Sequence, residues 1–264
     1  SGGAGGDGNT VNVGNTGTIR TAGLASYGIF AQSVGGGGGS GGNGSPGLEG
    51  WLADIYEDYE KINQVIESYK TIMNTYHKEW KEIFLESWKF NMGGEGGGAG
   101  KGGNVIVTNN GTIITDGDSA TAIYAQSVGG GGGAGGDGSM GGITSIALSG
   151  SADAGSHGGT VTVDNYGKIV TSGDGAMGIY AQSVGGGGGT AGDVEGSIIE
   201  EIDSLAEVVG YNIFGGTGAG AGKGGDGGDV TVNLHQGGSI TTTGANAHAI
   251  WVQSVGGGGG AAGW

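Results

Sequence analysis

One eleven-residue phrase recurs four times in this chain, and its repetition constrains the fold more than any other feature. Each copy reads Ile, an aromatic residue, Ala or Val, Gln, Ser, Val and five glycines, at 29–39, 123–133, 179–189 and 250–260. A phrase repeated this faithfully is typical of a structural unit that stacks on copies of itself. The sequence therefore indicates a repeat architecture.

The repeated unit starts upstream of this phrase, at a Val-x-Val pair. The first Val precedes the Gln by 21 positions in three copies (11 to 32, 105 to 126, 161 to 182) and by 23 in the fourth (230 to 253). The two extra residues fall within Leu234–Gly238, in a turn, where insertions are tolerated. Turn residues between β-branched stretches predict three strands per copy, in the first copy Val11–Val13, Thr18–Thr21 and Gly28–Val34. The four copies span 11–39, 105–133, 161–189 and 230–260.

Three short strands cannot enclose a core, whereas stacked copies share one. Parallel stacking at about 4.8 Å per copy gives an all-β repeat, a parallel β-solenoid or β-helix, over the whole of residues 1–264. Alternation along the third strand assigns Ile29, Ala31 and Ser33 to the interior and their neighbours to the outside. The outward positions then form an aromatic ladder and a Gln ladder, consisting of Phe30, Tyr124, Tyr180 and Trp251 beside Gln32, Gln126, Gln182 and Gln253.

These outward ladders allow two interpretations. An exposed apolar stripe is normally covered by something, and we expect the protein's own glycine segments to lie over it as packing. The alternative is a ligand-binding face that reads surface glycans with its aromatic and Gln side chains.

The glycine segments themselves have a period of three. In 1–7, 40–43 and 223–229, side chains occur at every third residue and glycine fills the rest. Three residues per turn is the polyproline II repeat, and two bare faces would let polyglycine II helices approach closely. A disordered glycine linker is the alternative.

Two inserts interrupt the glycine segments. Residues 48–92 carry apolar residues at spacings of three and four, which predicts a helix, and acids at its start with lysines at its end favour one long helix over a hairpin turning near Asn74. Residues 197–209 begin with a capping box and predict a second helix. These helices would pack on the core of this protein or join it to a neighbouring subunit.

No residue pattern points to catalysis, and we expect neither an enzyme nor a cofactor. The four histidines lie in different contexts without a paired acid, and no phosphate-binding or dinucleotide-binding glycine motif is complete. The segments 2–7 and 224–229 match the start of a calcium-binding nonapeptide, but its apolar eighth position fails and the units do not recur in tandem. Solvated aspartates are therefore the favoured interpretation over a calcium site.

Charge and composition limit the classes of partner that we expect for this chain. The net charge of −16 disfavours nucleic acid, and no apolar run reaches the length of a membrane span, so we expect no direct membrane insertion by this segment. Both ends cut through the repeat, which suggests either a segment of a longer protein or a subunit that stacks end to end.

The phrase Ala-Ile-aromatic-Ala-Gln-Ser-Val-Gly5 resembles the glycine-rich repeats in passenger regions of bacterial autotransporter-type surface proteins. The resemblance covers the four copies, about half of the chain. It implies a β-helical passenger on the bacterial surface, whereas the long helical insert departs from a plain passenger. We therefore expect an extracellular structural or adhesive segment that associates with copies of itself or with adjoining repeats, through solenoid ends or helical inserts.

Overall fold

The chain winds into stacked rungs of three strands each. The computed structural model describes residues 1–44, 89–139, 145–195 and 221–263, and all regular structure in these ranges is β-strand. The strands of the four rungs are β1 (Val11–Asn15), β2 (Thr18–Thr21), β3 (Ile29–Val34); β5 (Val105–Asn109), β6 (Thr112–Thr115), β7 (Ile123–Val128); β10 (Val161–Asn165), β11 (Lys168–Thr171), β12 (Ile179–Val184); and β14 (Val230–Leu234), β15 (Ser239–Thr242), β16 (Ile250–Val255).

Equivalent strands pair between rungs in three parallel sheets. The sheets have the orders β1-β5-β10-β14, β15-β11-β6-β2 and β16-β12-β7-β3, so each sheet takes one strand from every rung. Pairing is in register: Ile29 lies opposite Ile123, which lies opposite Ile179, which lies opposite Ile250. The predicted parallel β-solenoid is confirmed. In the first rung β2 has its predicted bounds, β1 ends two residues later than predicted, at Asn15, and β3 begins one residue later, at Ile29.

The core follows the predicted faces. In β7 and β12 the inward Ile, Ala and Ser are buried while the outward residues are partly exposed. The two ends of the stack differ, because Ile29 is 6% exposed in the first rung whereas Ile250 and Val252 are 40% and 46% exposed in the fourth. The interior is therefore closed in the middle and open at the fourth rung.

A column of asparagines also lies in this interior. The Asn15 amide donates to the Asn109 Oδ1 at 2.8 Å, and the Asn109 amide donates to the Asn165 Oδ1 at 2.7 Å. The Asn109 and Asn165 side chains are fully buried. The amides of Asn15 and Asn109 are thus satisfied by the next Asn, and the Asn165 amide donates to the Gly167 carbonyl at 3.1 Å, so the buried polar groups have partners. Leu234 takes this position in the fourth rung.

The two-residue insertion in the fourth copy stays within its turn. Gly237 adopts a left-handed φ of 93°, which a side chain disfavours. Pairing resumes at Ser239, which lies opposite Lys168. The register of the remaining strands is therefore unchanged.

Four further strands extend the glycine segments. They are β4 (Lys89–Met92), paired in parallel with β9 (Ser145–Leu148), and β8 (Gly138–Ser139), paired in parallel with β13 (Val194–Glu195). Residues 89–92 were predicted as the end of the helix over 48–92, and that prediction is wrong for these four residues, because they pair with a neighbouring strand. The rest of that predicted helix and all of the one predicted at 197–209 lie outside the described residues.

Candidate functional site

The aromatic ladder predicted on the outside of the third sheet is present. The rings of Phe30 and Tyr124 stack at 4.8 Å with planes 1° apart, and those of Tyr124 and Tyr180 stack at 4.9 Å with planes 4° apart. Trp251 lies opposite Tyr180 in the strand register. Tyr27 meets Phe30 and Tyr124 edge-on. The pKa of Tyr124 is raised by burial and by the neighbouring Tyr180 and Tyr27, and burial raises that of Tyr180.

The Gln ladder runs beside it as a directed chain of hydrogen bonds. The amide nitrogens of Gln32, Gln126 and Gln182 donate to the Oε1 atoms of Gln126, Gln182 and Gln253, at 2.5, 2.5 and 2.6 Å. Every bond points from a lower to a higher rung. Gln126 and Gln182 are therefore both donors and acceptors, and Gln253 accepts the last bond of the chain.

The ladders are not covered by the glycine segments, so the expectation of a glycine roof is wrong. Phe30 is 53% exposed, Val34 53% and Trp251 38%. The glycine residues after Val34 instead leave the sheet and hydrogen-bond to other glycine segments. Among the other glycine segments, the N–H and C=O groups of these glycines find hydrogen-bond partners, whereas the edges of the aromatic rings offer them none.

The geometry of the ladder limits what it could bind. Stacking at 4.8 and 4.9 Å places each ring against the faces of its neighbours, so Tyr124 presents its edge to solvent. Sugars bind aromatic side chains through ring faces, by the same apolar contact that governs other aromatic stacking. In this ladder the rings with a neighbouring rung on one side only are Phe30 and Trp251, at its two ends.

The glycine segments that enter and leave the rungs form a second stacked array, here called the glycine bundle. Incoming segments (1–10, 93–104, 149–160 and 221–229) precede each first strand, and outgoing segments (35–44, 129–137, 185–193 and 256–263) follow each third strand. Successive incoming segments bond in parallel, as from the N–H groups of Gly2, Gly5 and Gly8 to the carbonyls of Glu95, Gly98 and Lys101. Successive outgoing segments do the same.

Incoming and outgoing segments also bond to each other, in antiparallel directions. Gly97 and Gly100 donate to the carbonyls of Gly39 and Gly36, while Gly130 and Gly133 donate to those of Gly100 and Gly97. A central segment is therefore hydrogen-bonded to four neighbours. All of these contacts recur every three residues.

The absence of side chains is what permits this packing. A Cβ at Gly130 would overlap the Gly36 carbonyl and one at Gly129 the Ser156 carbonyl, whereas one at Gly131 would lie 3.7 Å from the nearest atom. A glycine segment of this kind therefore has two closed faces and one open face, as the sequence period predicts. Asp153 and Ser156 depart from the period, since the fourth incoming segment has Gly222 and Gly225 at their positions.

Inward serines of the third sheet join the two arrays. The Ser127 hydroxyl donates to the Gly103 carbonyl at 2.8 Å and accepts from the Gly159 N–H at 2.8 Å. Ser33 and Ser183 make equivalent pairs of bonds. The recurring Ser is therefore a link between a strand and two incoming segments, which sequence reasoning did not identify.

Ionisable groups occur as separate pairs. Asp164 accepts from Asn233 and lies 2.8 Å from the His235 Nε2, whose ring stacks on Tyr166 at 3.9 Å. These hydrogen bonds, His235 first, lower the pKa of Asp164. In residues 1–44, 89–139, 145–195 and 221–263, no group of three or more His, Cys, Asp or Glu side chains is placed to hold a metal ion.

Comparisons with known proteins found no relationship. Profiles of protein families, curated proteins and solved structures were each searched, and none matched this chain. In the same described ranges, no helix has the length and apolar character needed to cross a membrane.

Proposed function

We propose that this chain is a structural segment of an extracellular bacterial surface protein or filament, acting as a stiff shaft. The observation that supports this role is the in-register stacking of every rung in two arrays at once, the β-core and the glycine bundle. We take the three-residue contacts of the bundle to be those of polyglycine II helices.

The stacking favours stiffness for a physical reason. Bending or shearing the shaft must break backbone bonds in three sheets and side-chain bonds in the Gln and Asn columns together. Each central rung is hydrogen-bonded to the rungs on both sides. Asn109, for example, is hydrogen-bonded to Asn15 in the rung below and to Asn165 in the rung above. Repeat proteins of this kind gain stability from contacts between neighbours.

The placement outside the cell follows from the resemblance of the Gln-Ser-Val-Gly5 phrase to surface passengers, and the acidic surface suits a solvent-exposed role. Antibodies against the 264-residue chain should label intact source bacteria as strongly as permeabilised ones. Labelling that requires permeabilisation would contradict the extracellular role.

A second candidate function is glycan binding, which the exposed ladder favours. Tyr124→Ala and Tyr180→Ala should then abolish binding on a glycan array, while Tyr166→Ala, at an exposed tyrosine in the turn between β10 and β11, should leave it unchanged. The closed ring faces make this the lesser candidate, and an unmodified protein that binds no glycan removes it.

A further inference from the structure

Histidines are concentrated at one junction of the stack, that between the third and fourth rungs. His157 lies in the third incoming segment, whereas His235 and His248 belong to the fourth rung. The described residues of the first two rungs, 1–44 and 89–139, contain no histidine. Histidine is the side chain whose charge ordinarily changes between about pH 5 and pH 8. Among the described junctions, this one is therefore suited to respond to mild acid.

We propose that His157 is a pH-sensitive link in the glycine bundle, which holds the fourth incoming segment when its imidazole is neutral and releases it when the imidazole is protonated. The contact that carries this proposal is a hydrogen bond from the Asp226 N–H to the His157 Nδ1, at 2.9 Å. A main-chain N–H can only donate, so Nδ1 is the accepting nitrogen and the ring proton lies on Nε2. Protonation puts a second N–H group at Nδ1, where it faces the Asp226 donor.

A bond of the same kind joins the first and second incoming segments, but its acceptor is a carboxylate. There the Lys101 N–H donates to the Asp7 Oδ1 at 2.7 Å. Asp7, Lys101, His157 and Asp226 hold the same position in four successive segments, on the open face of each. Aspartate carboxylates ordinarily stay ionised above about pH 5, so they keep accepting where an imidazole does not.

The charges around His157 come from its own segment and from the segments on both sides. The Asp226 carboxylate lies 3.5 Å from the His157 Nδ1, and both side chains are more than half exposed. Lys101, at the equivalent position one rung below, brings a positive charge. Within 149–160 the other ionisable side chain is Asp153, and the outgoing residues packed against this point are glycines. One turn away along the fourth segment lie Lys223 and Asp229.

Acid replaces one contact at this position by another. The protonated ring pairs with the Asp226 carboxylate, while the freed Asp226 N–H turns to water. Gly158 continues to donate to the Asp226 carbonyl at 2.9 Å. The Asp226 peptide group is then held by its carbonyl alone, so the segment 224–229 opens locally.

The β-strand side of the same junction responds in the opposite sense. The His235 Nε2 lies 2.8 Å from the Asp164 Oδ1, and an ionised carboxylate can only accept, so this nitrogen carries a proton whether the ring is neutral or charged. Protonation of His235 adds an ion pair to the existing hydrogen bond. The His248 ring contacts Trp251 of its own rung, edge-on at 5.0 Å. Mild acid therefore loosens the glycine segment while the strands stay paired.

Amide hydrogen exchange, followed by NMR between about pH 5 and pH 8, tests this link at single residues. The protection factor of the Asp226 amide should fall at least about threefold as the His157 ring signals titrate, because one hydrogen bond is lost. The Lys101 amide is the internal control, since its acceptor is the Asp7 carboxylate, and its protection factor should stay constant. Constant protection at Asp226, or a His157 ring that does not titrate in this range, would overturn the proposal.

His157→Asn is the matched variant, because an Asn side chain already serves as acceptor on the same open face. There the Asn104 Oδ1 accepts the Thr160 N–H at 3.0 Å. The protection factor of the Asp226 amide in this variant should not change with pH. A response that persists without the imidazole would overturn the assignment to His157.

Asp226→Asn separates the two acceptor contacts of the ring. This variant keeps the main-chain N–H and removes the carboxylate, so acid should still lower the protection of the amide at this position. Protection that becomes independent of pH would overturn the conflict of donors at Nδ1, because the carboxylate would then cause the response. Circular dichroism checks that both variants fold as the unmodified chain does.

Discussion

The β-rungs and the glycine bundle both stack in layers, but different groups hold the layers together. In the rungs, layers are held by side chains such as Ile123 and Ile179, which fill the space between strands completely. In the bundle, layers are held by main-chain bonds such as Gly130 to Gly100, at 2.9 Å, and a Cβ added at Gly130 would collide with the Gly36 carbonyl. Stacking of the β-rungs therefore depends on large side chains, whereas stacking of the glycine bundle depends on glycine at positions such as Gly130.

This difference predicts opposite responses to alanine. In the rungs, alanine in place of isoleucine removes side-chain volume that fills the core. In the bundle, alanine in place of glycine adds a methyl group where there is no space for it. The two arrays share one rung spacing and are joined by hydrogen bonds of the serine hydroxyls. A substitution that disrupts either array should therefore weaken the stacking of both.

The largest effect is expected in the β-core. Ile123→Ala leaves a cavity between two flanking rungs and should lower the free energy of unfolding by about 4 kcal/mol. Ile250→Ala deletes the same atoms at the open fourth rung, where the side chain is 40% exposed, and should cost clearly less. Denaturant titration of both variants measures the difference, and equal losses would contradict the assignment of an open end.

A slightly smaller effect is expected in the bundle. Gly130→Ala should cost about 3 kcal/mol by overpacking against the Gly36 carbonyl. The adjacent Gly131→Ala should change stability by less than about 1 kcal/mol, because its Cβ would have room and alanine restricts the unfolded chain. Thermal unfolding separates the two, and a disruptive Gly131→Ala would refute the three-residue packing.

The buried Asn column should give an intermediate effect. Asn109→Ala strands the Asn15 amide and the Asn165 Oδ1 in the core and should cost about 2 kcal/mol. Asn104→Ala removes an exposed side-chain bond to the Thr160 N–H and serves as the control, with a loss below about 0.5 kcal/mol. Chemical denaturation monitored by circular dichroism compares the two variants.

The smallest effect concerns acid at the junction of the third and fourth rungs. Because the pKa of Asp164 is lowered in the folded protein, its contribution to stability is present above the ordinary carboxyl value of 3.8 and is lost as the pH falls through the folded value. Asp164→Asn should remove this part of the acid sensitivity. Unfolding curves from neutral to acidic pH test it, and an unchanged profile would count against the contact with His235.

The strands and their faces were predictable because the alternation and the fixed repeat spacing leave one consistent register. Ile29 and its equivalents therefore fell inside, and Phe30 and its equivalents outside, as the pattern indicates. The three-residue period likewise anticipated which faces of the glycine segments are closed. These features depend on residues that are near in sequence or repeated exactly in type.

The position of the glycine segments was not predictable, because it depends on which distant segment offers partners. Gly36 lies in the bundle through its bonds to Gly6 and Gly100, and nothing in its own neighbourhood specifies either. Asn15 resembled an ordinary turn residue, and its burial depends on the Asn109 one rung away. The strand at Lys89–Met92 was hidden by a helical spacing, since its pairing with Ser145–Leu148 is equally remote.

The main-chain packing of the glycine bundle has a thermal consequence. Unfolding a core of isoleucine and valine exposes apolar surface and raises the heat capacity, whereas exposing peptide groups lowers it. The bundle therefore offsets part of the heat-capacity increment of the β-core, and the stability curve of this protein should be flatter than that of an all-apolar domain of equal size. Calorimetry should find a small heat-capacity increment of unfolding for a protein of this length, so that the stability of the shaft changes little between cold and warm surroundings.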